Sequence, residues 1–209
     1  MKHFNLEVKN RNKLTKENYI ENIVFEDKQE LKEILQVYDE KIEKLLNLSK
    51  LEFENQINLF IKKFKGFKEV YDLNDCNFIG FYLMILDDYK QVYLGVSNNI
   101  KKRIVQHWNR KVKKEYLSSK VNGYGIGIDS FKPYDTTRIF VKKYSTDGIK
   151  VVNDILQQMG KEKLKEKDFY AFMEEEESKM IKFFNSEFVC NRYIRVNTFK
   201  IKKSSIKKD

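Results

Sequence analysis

The sequence is short of the residues that build metal frameworks, disulfide scaffolds and rigid turns. Its 209 residues include two cysteines, two histidines and one proline. Cys76 and Cys190 lack the spacing of a zinc site or a disulfide framework, so both are expected to be reduced thiols. The longest apolar run, residues 78–86, is too short to span a membrane, and no apolar signal-peptide centre stands near the N-terminus. We therefore expect a cytoplasmic protein without a membrane span.

Positive charge is abundant and unevenly distributed. Lys and Arg number 41 against 31 Asp and Glu, a net charge of +10. Residues 1–75 are nearly balanced, with 14 basic and 15 acidic side chains, whereas residues 101–143 carry 12 basic and 3 acidic ones. A basic block interleaved with aromatic residues is typical of proteins that contact phosphates. The second half of the chain is therefore expected to bind a nucleic acid.

The first third of the chain has the pattern of helices. Between residues 15 and 66, apolar side chains recur at steps of three and four. Ser49 and Glu52 form a capping box that starts a new helix, whose buried side should include Leu51, Phe53 and Ile57. We predict a helical extension over residues 1–75 that packs on the rest of the chain or forms a homo-oligomer. Residues 196–209 are predicted to be a basic, disordered tail.

Residues 80–107 predict a strand, a hairpin, a second strand and a helix. The run 80–86 is apolar, 87–90 is polar and turn-like, and 91–96 returns to strand-forming residues. Ser97 or Asn98 can cap the helix that follows. Arg103 and His107 stand four residues apart, so they lie one turn from each other at the edge of the helix's buried side.

Further elements are predicted downstream. A third strand should follow the loop that begins at Asp135, and a helix over residues 148–159 should turn Val151, Val152, Ile155 and Leu156 inward. A last helix, from about residue 168 to 184, is expected to bury Met173 and Met180.

Glu177 lies on the buried face of that last helix. A carboxylate in such a position is costly unless it is paired with a cation or a metal ion. Its neighbours Glu174 and Glu175 point to the solvated side, and Glu176 is the alternative because it is only slightly off the buried face.

Taken together, these residues resemble the GIY-YIG endonuclease family. The first triplet of that family corresponds to Gly80-Phe81-Tyr82, and the second to Tyr93-Leu94-Gly95. Arg103 follows ten residues after Tyr93, and His107 follows four residues later, which is the family's spacing. The resemblance covers residues 78–195 and departs from the family at Phe81, at Leu94 and in the 70 residues from His107 to Glu177.

The resemblance implies an α+β fold, with a small three-stranded antiparallel sheet flanked by helices. The nuclease domain would span residues 76–195, with an insertion near 111–135. The implied activity is metal-dependent hydrolysis of double-stranded DNA, with Mg²⁺ or Mn²⁺ held by Glu177. The implied catalytic residues are Tyr82, Tyr93, Arg103, His107 and Glu177, with Gly80, Gly95 and Asn191 in support.

The roles follow from the chemistry of phosphodiester hydrolysis. Arg103 would hold the scissile phosphate. Tyr93 would be the general base, assisted by Tyr82 or His107, provided that a neighbouring cation lowers the pKa of the phenol. The residues expected to contact DNA are Lys101, Lys102, Arg110, Lys111, Lys113, Lys114 and Arg138.

Two alternatives belong to other classes of protein. One is a nucleic-acid-binding module that has lost cleavage. The other is a helical interaction protein whose second half only anchors it to DNA. Cleavage of supercoiled plasmid, as opposed to a gel shift alone, separates the enzyme from the binding module.

Overall fold

The centre of the fold is a strand that is covered on both faces. The computed structural model describes residues 43–109, 128, 131, 133–145, 147–164 and 166–190, together with positions 36 and 40. Strand β2 is Gly80–Leu86, and all seven of its residues are buried. β1 is Lys68–Val70, β3 is Gln91–Ser97 and β4 is Arg138–Lys143. The strands form one antiparallel sheet in the order β1-β4-β2-β3.

Four helices that are described from end to end accompany the sheet, and positions 36, 40 and 43–46 are also helical. α1 is Lys50–Lys63 and α2 is Ile100–Asn109. α3 is Asp147–Gln158 and α4 is Glu166–Ile181. None of the described helices is long and apolar enough to cross a membrane.

The sheet has four strands in place of the three that the sequence predicts. The additional strand, β1, is only three residues long and pairs with β4 at the sheet edge. Its Lys-Glu-Val sequence has two exposed side chains and no apolar alternation. A strand of this kind is formed by pairing with its neighbour, so its own sequence carries no periodic signal.

Alternation along β2 divides the core into two clusters, because successive side chains of a strand point to opposite faces. Tyr82, Met84 and Leu86 pack with the buried side of α2. Phe81, Leu83 and Ile85 face the other way and pack with α1 and α4. From α1 this second cluster receives Phe53, Ile57 and Phe60, and from α4 it receives Met173, Met180 and Ile181.

Helix α1 belongs to the same packed unit as the sheet. The side chain of Ser49 accepts a hydrogen bond from the backbone N–H of Glu52, so the predicted cap is present. Phe53 and Phe60 are fully buried, but Leu51, which the sequence pattern placed on the buried side, is 74% exposed. The described end of the predicted extension is therefore docked on the sheet, although not through every apolar residue of its stripe.

Helix α3 also differs from the sequence-based expectation. Val151 is 57% exposed and Ile155 is 50% exposed, so two of the four residues predicted to face inward lie on the surface, whereas Leu156 is half-buried. The helical period itself is present, but the sheet faces are already covered by α1, α2 and α4.

A network of charged side chains ties α1 to the sheet at the end of β2. Arg138 donates hydrogen bonds to both carboxylate oxygens of Asp87, and its guanidinium also binds Glu54 of α1 at 2.9 Å. Thr137 donates to Asp87 at 2.5 Å. Asp87 is buried, and a buried carboxylate needs such partners.

Candidate active site

Tyr82 and Tyr93 lie side by side on the sheet face that α2 covers. The β2–β3 register pairs Tyr82 with Gly95 and Met84 with Tyr93. The two phenol rings therefore stand two positions apart on adjacent strands, with centroids 6.0 Å apart. Tyr82 is fully buried, whereas Tyr93 is half-buried at the edge of this cluster. The hairpin thus brings together the two tyrosines predicted from the sequence.

Gly95 is required by the position of the Tyr82 ring. A Cβ atom at residue 95 would lie 2.4 Å from both Cζ and the hydroxyl oxygen of Tyr82, which no side chain can do without displacing the ring. A glycine is required at position 80 for a similar reason, because a Cβ atom there would lie 2.2 Å from the carbonyl oxygen of Lys142. Both predicted support glycines allow a close approach that any larger residue would block.

Helix α2 is held in place from both ends. At its start, the backbone N–H groups of Ile100 and Lys101 donate to the carbonyls of Phe78 and Cys76, which lie just before β2, at 3.3 and 3.0 Å. The side chain of Asn99 accepts from the N–H of Lys102 at 2.9 Å, so the cap is Asn99 and not Ser97 or Asn98. Near its end, Trp108 Nε1 donates to Thr136 Oγ1 at 3.1 Å. The helix therefore presents its side chains in a fixed direction.

His107 and Arg103 of α2 both reach the tyrosine pair. The Nε2 atom of His107 lies 2.9 Å from the hydroxyl of Tyr82, and the imidazole is buried. The ring of His107 also meets the Tyr93 ring edge-on, with centroids 4.8 Å apart. The guanidinium of Arg103 donates a hydrogen bond to the Tyr82 hydroxyl. The four predicted residues of the hairpin and α2 thus share one site.

Glu177 joins this site from α4. The helix packs along β3, which is the outer strand of the sheet, so a side chain on α4 can reach the tyrosines across that edge. Glu177 is half-buried, and its negative charge acts on both Tyr82 and Tyr93. Glu176 is directed elsewhere, because it pairs with Lys142 of β4 at 3.4 Å. The geometry therefore favours Glu177 over Glu176 as the site carboxylate.

The phenols of Tyr82 and Tyr93 are harder to ionise than ordinary tyrosines. Burial raises the pKa of Tyr82 well above its usual value, and the neighbouring Tyr93 raises it further. Burial also raises the pKa of Tyr93, followed by the negative charge of Glu177, and the positive charge of Arg103 only partly offsets these effects. The expectation of a lowered tyrosine pKa is therefore wrong for the protein alone, since removal from water outweighs the cation.

This direction of shift gives a measurable prediction. With tyrosine labelled at Cζ with ¹³C, and resonances assigned from Tyr82→Phe and Tyr93→Phe, both site tyrosines should still be neutral phenols at pH about 10, the ordinary pKa. Glu177→Gln should lower the pKa of Tyr93, because it removes a negative charge, whereas Glu175→Gln should not. Ionisation of either site tyrosine below pH 10 would contradict the prediction.

The same shift has a consequence for stability. A phenol whose pKa is higher in the folded protein than in the unfolded chain stabilises the fold fully below the unfolded value of about 10. That contribution is lost as the pH rises from about 10 towards the folded pKa. Urea unfolding at a series of alkaline pH values should therefore show a decline above pH 10 that is smaller in Tyr93→Phe.

Glu177 also fits the role of a metal ligand. Among the described residues there is no group of three or more His, Cys, Asp and Glu side chains that could hold a metal ion. Mg²⁺ does not need such a cage, because it keeps several waters and binds through one or two carboxylates together with phosphates of the substrate. A single half-buried carboxylate whose charge acts on the site tyrosines is compatible with that mode of binding.

The residues predicted to contact DNA fall into three groups. Lys101 and Lys102 lie on α2 beside the site. Arg138 is engaged by Asp87 and Glu54 at the other end of β2, so we do not include it in the contact surface proposed below. The remaining residues predicted to contact DNA lie outside the described part of the chain: Arg110, Lys111, Lys113 and Lys114. Asn191, which is predicted to support the site, lies outside it as well.

Tyr170 is a neighbour of the site that the sequence reasoning missed. It stands seven residues before Glu177, which places both on one side of α4. Its hydroxyl donates to the carbonyl of Val96 in β3 at 3.1 Å, and its phenol contributes to the raised pKa of Arg103. The seven-residue step back from Glu177 is the signal that could have identified it.

Comparison of the chain with family models, with curated proteins and with solved structures found no match.

Proposed function

We propose that the protein is a metal-dependent endonuclease that hydrolyses phosphodiester bonds of double-stranded DNA, as the resemblance to the GIY-YIG family implies. One observation carries the proposal. Residues from four separate elements, β2, β3, α2 and α4, converge on the hydroxyl groups of two tyrosines. An arginine, a histidine and a carboxylate beside hydroxyl groups can supply charge stabilisation, proton transfer and a metal ligand, which are the roles that phosphodiester hydrolysis needs.

Arg103 is assigned to the scissile phosphate. Its guanidinium is charged at all working pH values and offers paired donors in a plane. One of its hydrogen bonds goes to Tyr82, which fixes the orientation of the group while leaving further donors. A preorganised cation of this kind stabilises the negative charge that develops on the phosphate oxygens.

We assign the removal of a proton from the attacking water to Tyr93, Tyr82 and His107 acting together. The hydroxyl of Tyr82 lies 2.9 Å from His107 Nε2, and the ring of Tyr93 lies beside that of Tyr82, with centroids 6.0 Å apart. Because both phenols are neutral, Tyr93 can accept a proton only as it passes its own proton on to Tyr82 and then to His107. Imidazole is the side chain suited to receive a proton near neutral pH. The general base is therefore the relay formed by Tyr93, Tyr82 and His107, and not a single tyrosine anion.

Glu177 would hold a Mg²⁺ or Mn²⁺ ion, which when bound supplies Lewis acidity at a phosphate oxygen. The half-buried position of Glu177 limits its exposure to water, and its charge lies close to the site tyrosines.

The direct test is incubation of the purified protein with supercoiled plasmid, with MgCl₂ and with EDTA. Nicked and then linear DNA is expected only with the metal, and Tyr82→Phe, Tyr93→Phe and His107→Ala should each slow its appearance. A gel shift without cleavage under all conditions would overturn the enzyme and favour the binding module.

A further inference from the structure

An open groove of about 590 Å³ runs along the outer side of α2. Four of its lining residues carry primary amides, two carry ammonium groups, and none is acidic. The amides and the ammonium groups belong to Asn77, Asn99, Gln106, Asn109, Lys101 and Lys102.

The groove adjoins the proposed active site through the helix itself. Gln106 stands three residues after Arg103, and residues three or four apart are neighbours on a helix surface. An exposed stripe runs along the same side of the helix, at steps of four and three, and consists of Lys102, Gln106 and Asn109. The ten residues of α2 span about 15 Å. A ligand held by Arg103 would therefore extend naturally along this stripe.

The amides of the groove have two different roles. Asn99 caps the helix through its Oδ1 atom and donates from Nδ2 to Asn77 Oδ1 at 3.4 Å. Asn77 in turn donates to the carbonyl of Asn74 at 3.1 Å. These two amides build the wall of the groove. Gln106 and Asn109 are exposed on the helix and are the amides placed to meet a ligand.

The charge of the groove indicates a polyanion. Lys101 and Lys102 lie at its start, and α2 has no acidic residue in its first turn. Burial raises the pKa of the Cys76 thiol, and the negative charges of Asp72 and Asp75, on the side of Lys101, raise it further. A phosphate backbone would therefore follow Lys102 and avoid the acidic loop beyond Lys101.

We propose that this face of α2 reads base edges in the major groove of duplex DNA beside the cleaved bond, with Gln106 and Asn109 selecting adenine. The proposal rests on the endonuclease function for the identity of the polyanion. Gln and Asn donate to and accept from N7 and N6 of adenine as a pair, and a helix fits the major groove of B-form DNA. The deep, narrow major groove of RNA does not admit side chains in this way.

The test uses the full chain with Glu177→Gln, so that binding is measured without cleavage. A random duplex library is selected for binding and sequenced, with and without Gln106→Ala and Asn109→Ala. Adenine should be enriched at fixed positions, and each alanine should reduce the enrichment at one position by roughly tenfold. Asn58→Ala, an exposed amide on α1, is the matched control and should change nothing.

Two further variants sharpen the result. Gln106→Glu should shift the preferred base at its position from adenine to cytosine, because a carboxylate accepts from the cytosine amino group. Lys102→Gln should weaken binding to all sequences alike and flatten the slope of log affinity against log salt by roughly 0.9. A loss of base preference in Lys102→Gln but not in Gln106→Ala would overturn the assignment.

The outcomes separate the two proposals. A wild-type chain that cuts plasmid but shows no base preference, or one unaffected by both alanines, overturns the reading surface and leaves the nuclease in place. A preference that depends on Gln106, in a wild-type chain that never cuts, keeps the reading surface and removes the nuclease. Selection of single-stranded DNA or RNA over duplex DNA, or no binding at all, overturns the reading surface.

Discussion

Glu177→Gln is expected to abolish detectable plasmid cleavage while duplex binding stays within about threefold of wild type. The substitution keeps the volume of the side chain and removes its charge. A neutral amide is a poor ligand for Mg²⁺, which prefers charged oxygen donors in combination with waters. Binding should persist because the lysines of α2 and Arg103 are untouched. Plasmid nicking and filter binding on the same preparations provide the two readouts.

The neighbouring glutamates are matched controls for Glu177. Glu175→Gln removes a carboxylate that pairs with Lys179 at 2.7 Å on the exposed side of α4, so cleavage should be unchanged. Glu176→Gln breaks the pair with Lys142 and should change activity only slightly, since exposed ion pairs contribute little. Full activity in Glu177→Gln, or a complete loss in Glu176→Gln alone, would show that the assignment is wrong.

A second measurement distinguishes a metal ligand from a structural carboxylate. A ligand that binds only the folded protein raises the melting temperature as its concentration increases. Mn²⁺ should therefore stabilise the wild type and Glu175→Gln, but not Glu177→Gln. An equal increase in all three would place the metal away from Glu177.

The hairpin and α2 were predictable because their residues show both a secondary-structure pattern and a characteristic spacing of polar side chains. Residues 80–86 and 91–96 are two runs of strand-forming residues separated by a polar turn, and the spacing from Tyr93 to Arg103 and His107 places side chains from different elements together. The structure has the hairpin and the helix where the sequence predicts them. Local periodicity and short separations along the chain were sufficient here, since β2, β3 and α2 are consecutive.

The features that the sequence did not predict depend on contacts between distant parts of the chain. Strand β1 exists only through its pairing with β4, about 70 residues away. The ion pairs of Arg138 were not predictable either, because Asp87 and Glu54, which bind its guanidinium, come from other elements; its contact with phosphate stays a prediction. The exposure of Leu51 has the same origin, because a helical period shows where a stripe lies but not how much of it a neighbour covers.

The pKa values of the two tyrosines show what the sequence cannot predict about the chemistry of the site. The sequence shows that a cation follows the tyrosines at a fixed spacing, and a cation lowers the pKa of a phenol. It does not show that Tyr82 is completely buried and that burial is the larger effect. The sign of the shift is therefore a property of the packed site, and the proton relay proposed above follows from that sign.

Arg103→Lys is expected to reduce the rate of cleavage by roughly 10²- to 10³-fold despite the conserved charge, the range for loss of one preorganised donor at a reacting centre. The guanidinium of Arg103 is partly buried and already binds the Tyr82 hydroxyl. A lysine has a single nitrogen at the end of a flexible chain, so it cannot hold Tyr82 and a phosphate in one plane. The rate should be measured in single turnover with saturating protein, so that weaker binding does not contribute.

The adjacent Lys102 is the matched control, because it lies on the same helix turn and is exposed. Lys102→Gln should weaken binding at moderate salt and leave the single-turnover rate at saturation within about twofold. Arg103→Lys should show the reverse, with affinity nearly kept and the rate lost, because its contribution is made to the transition state and not to the ground state. If lysine at position 103 retains most of the rate, Arg103 only attracts DNA, and the donor that opposes charge at phosphorus must be another group of the site.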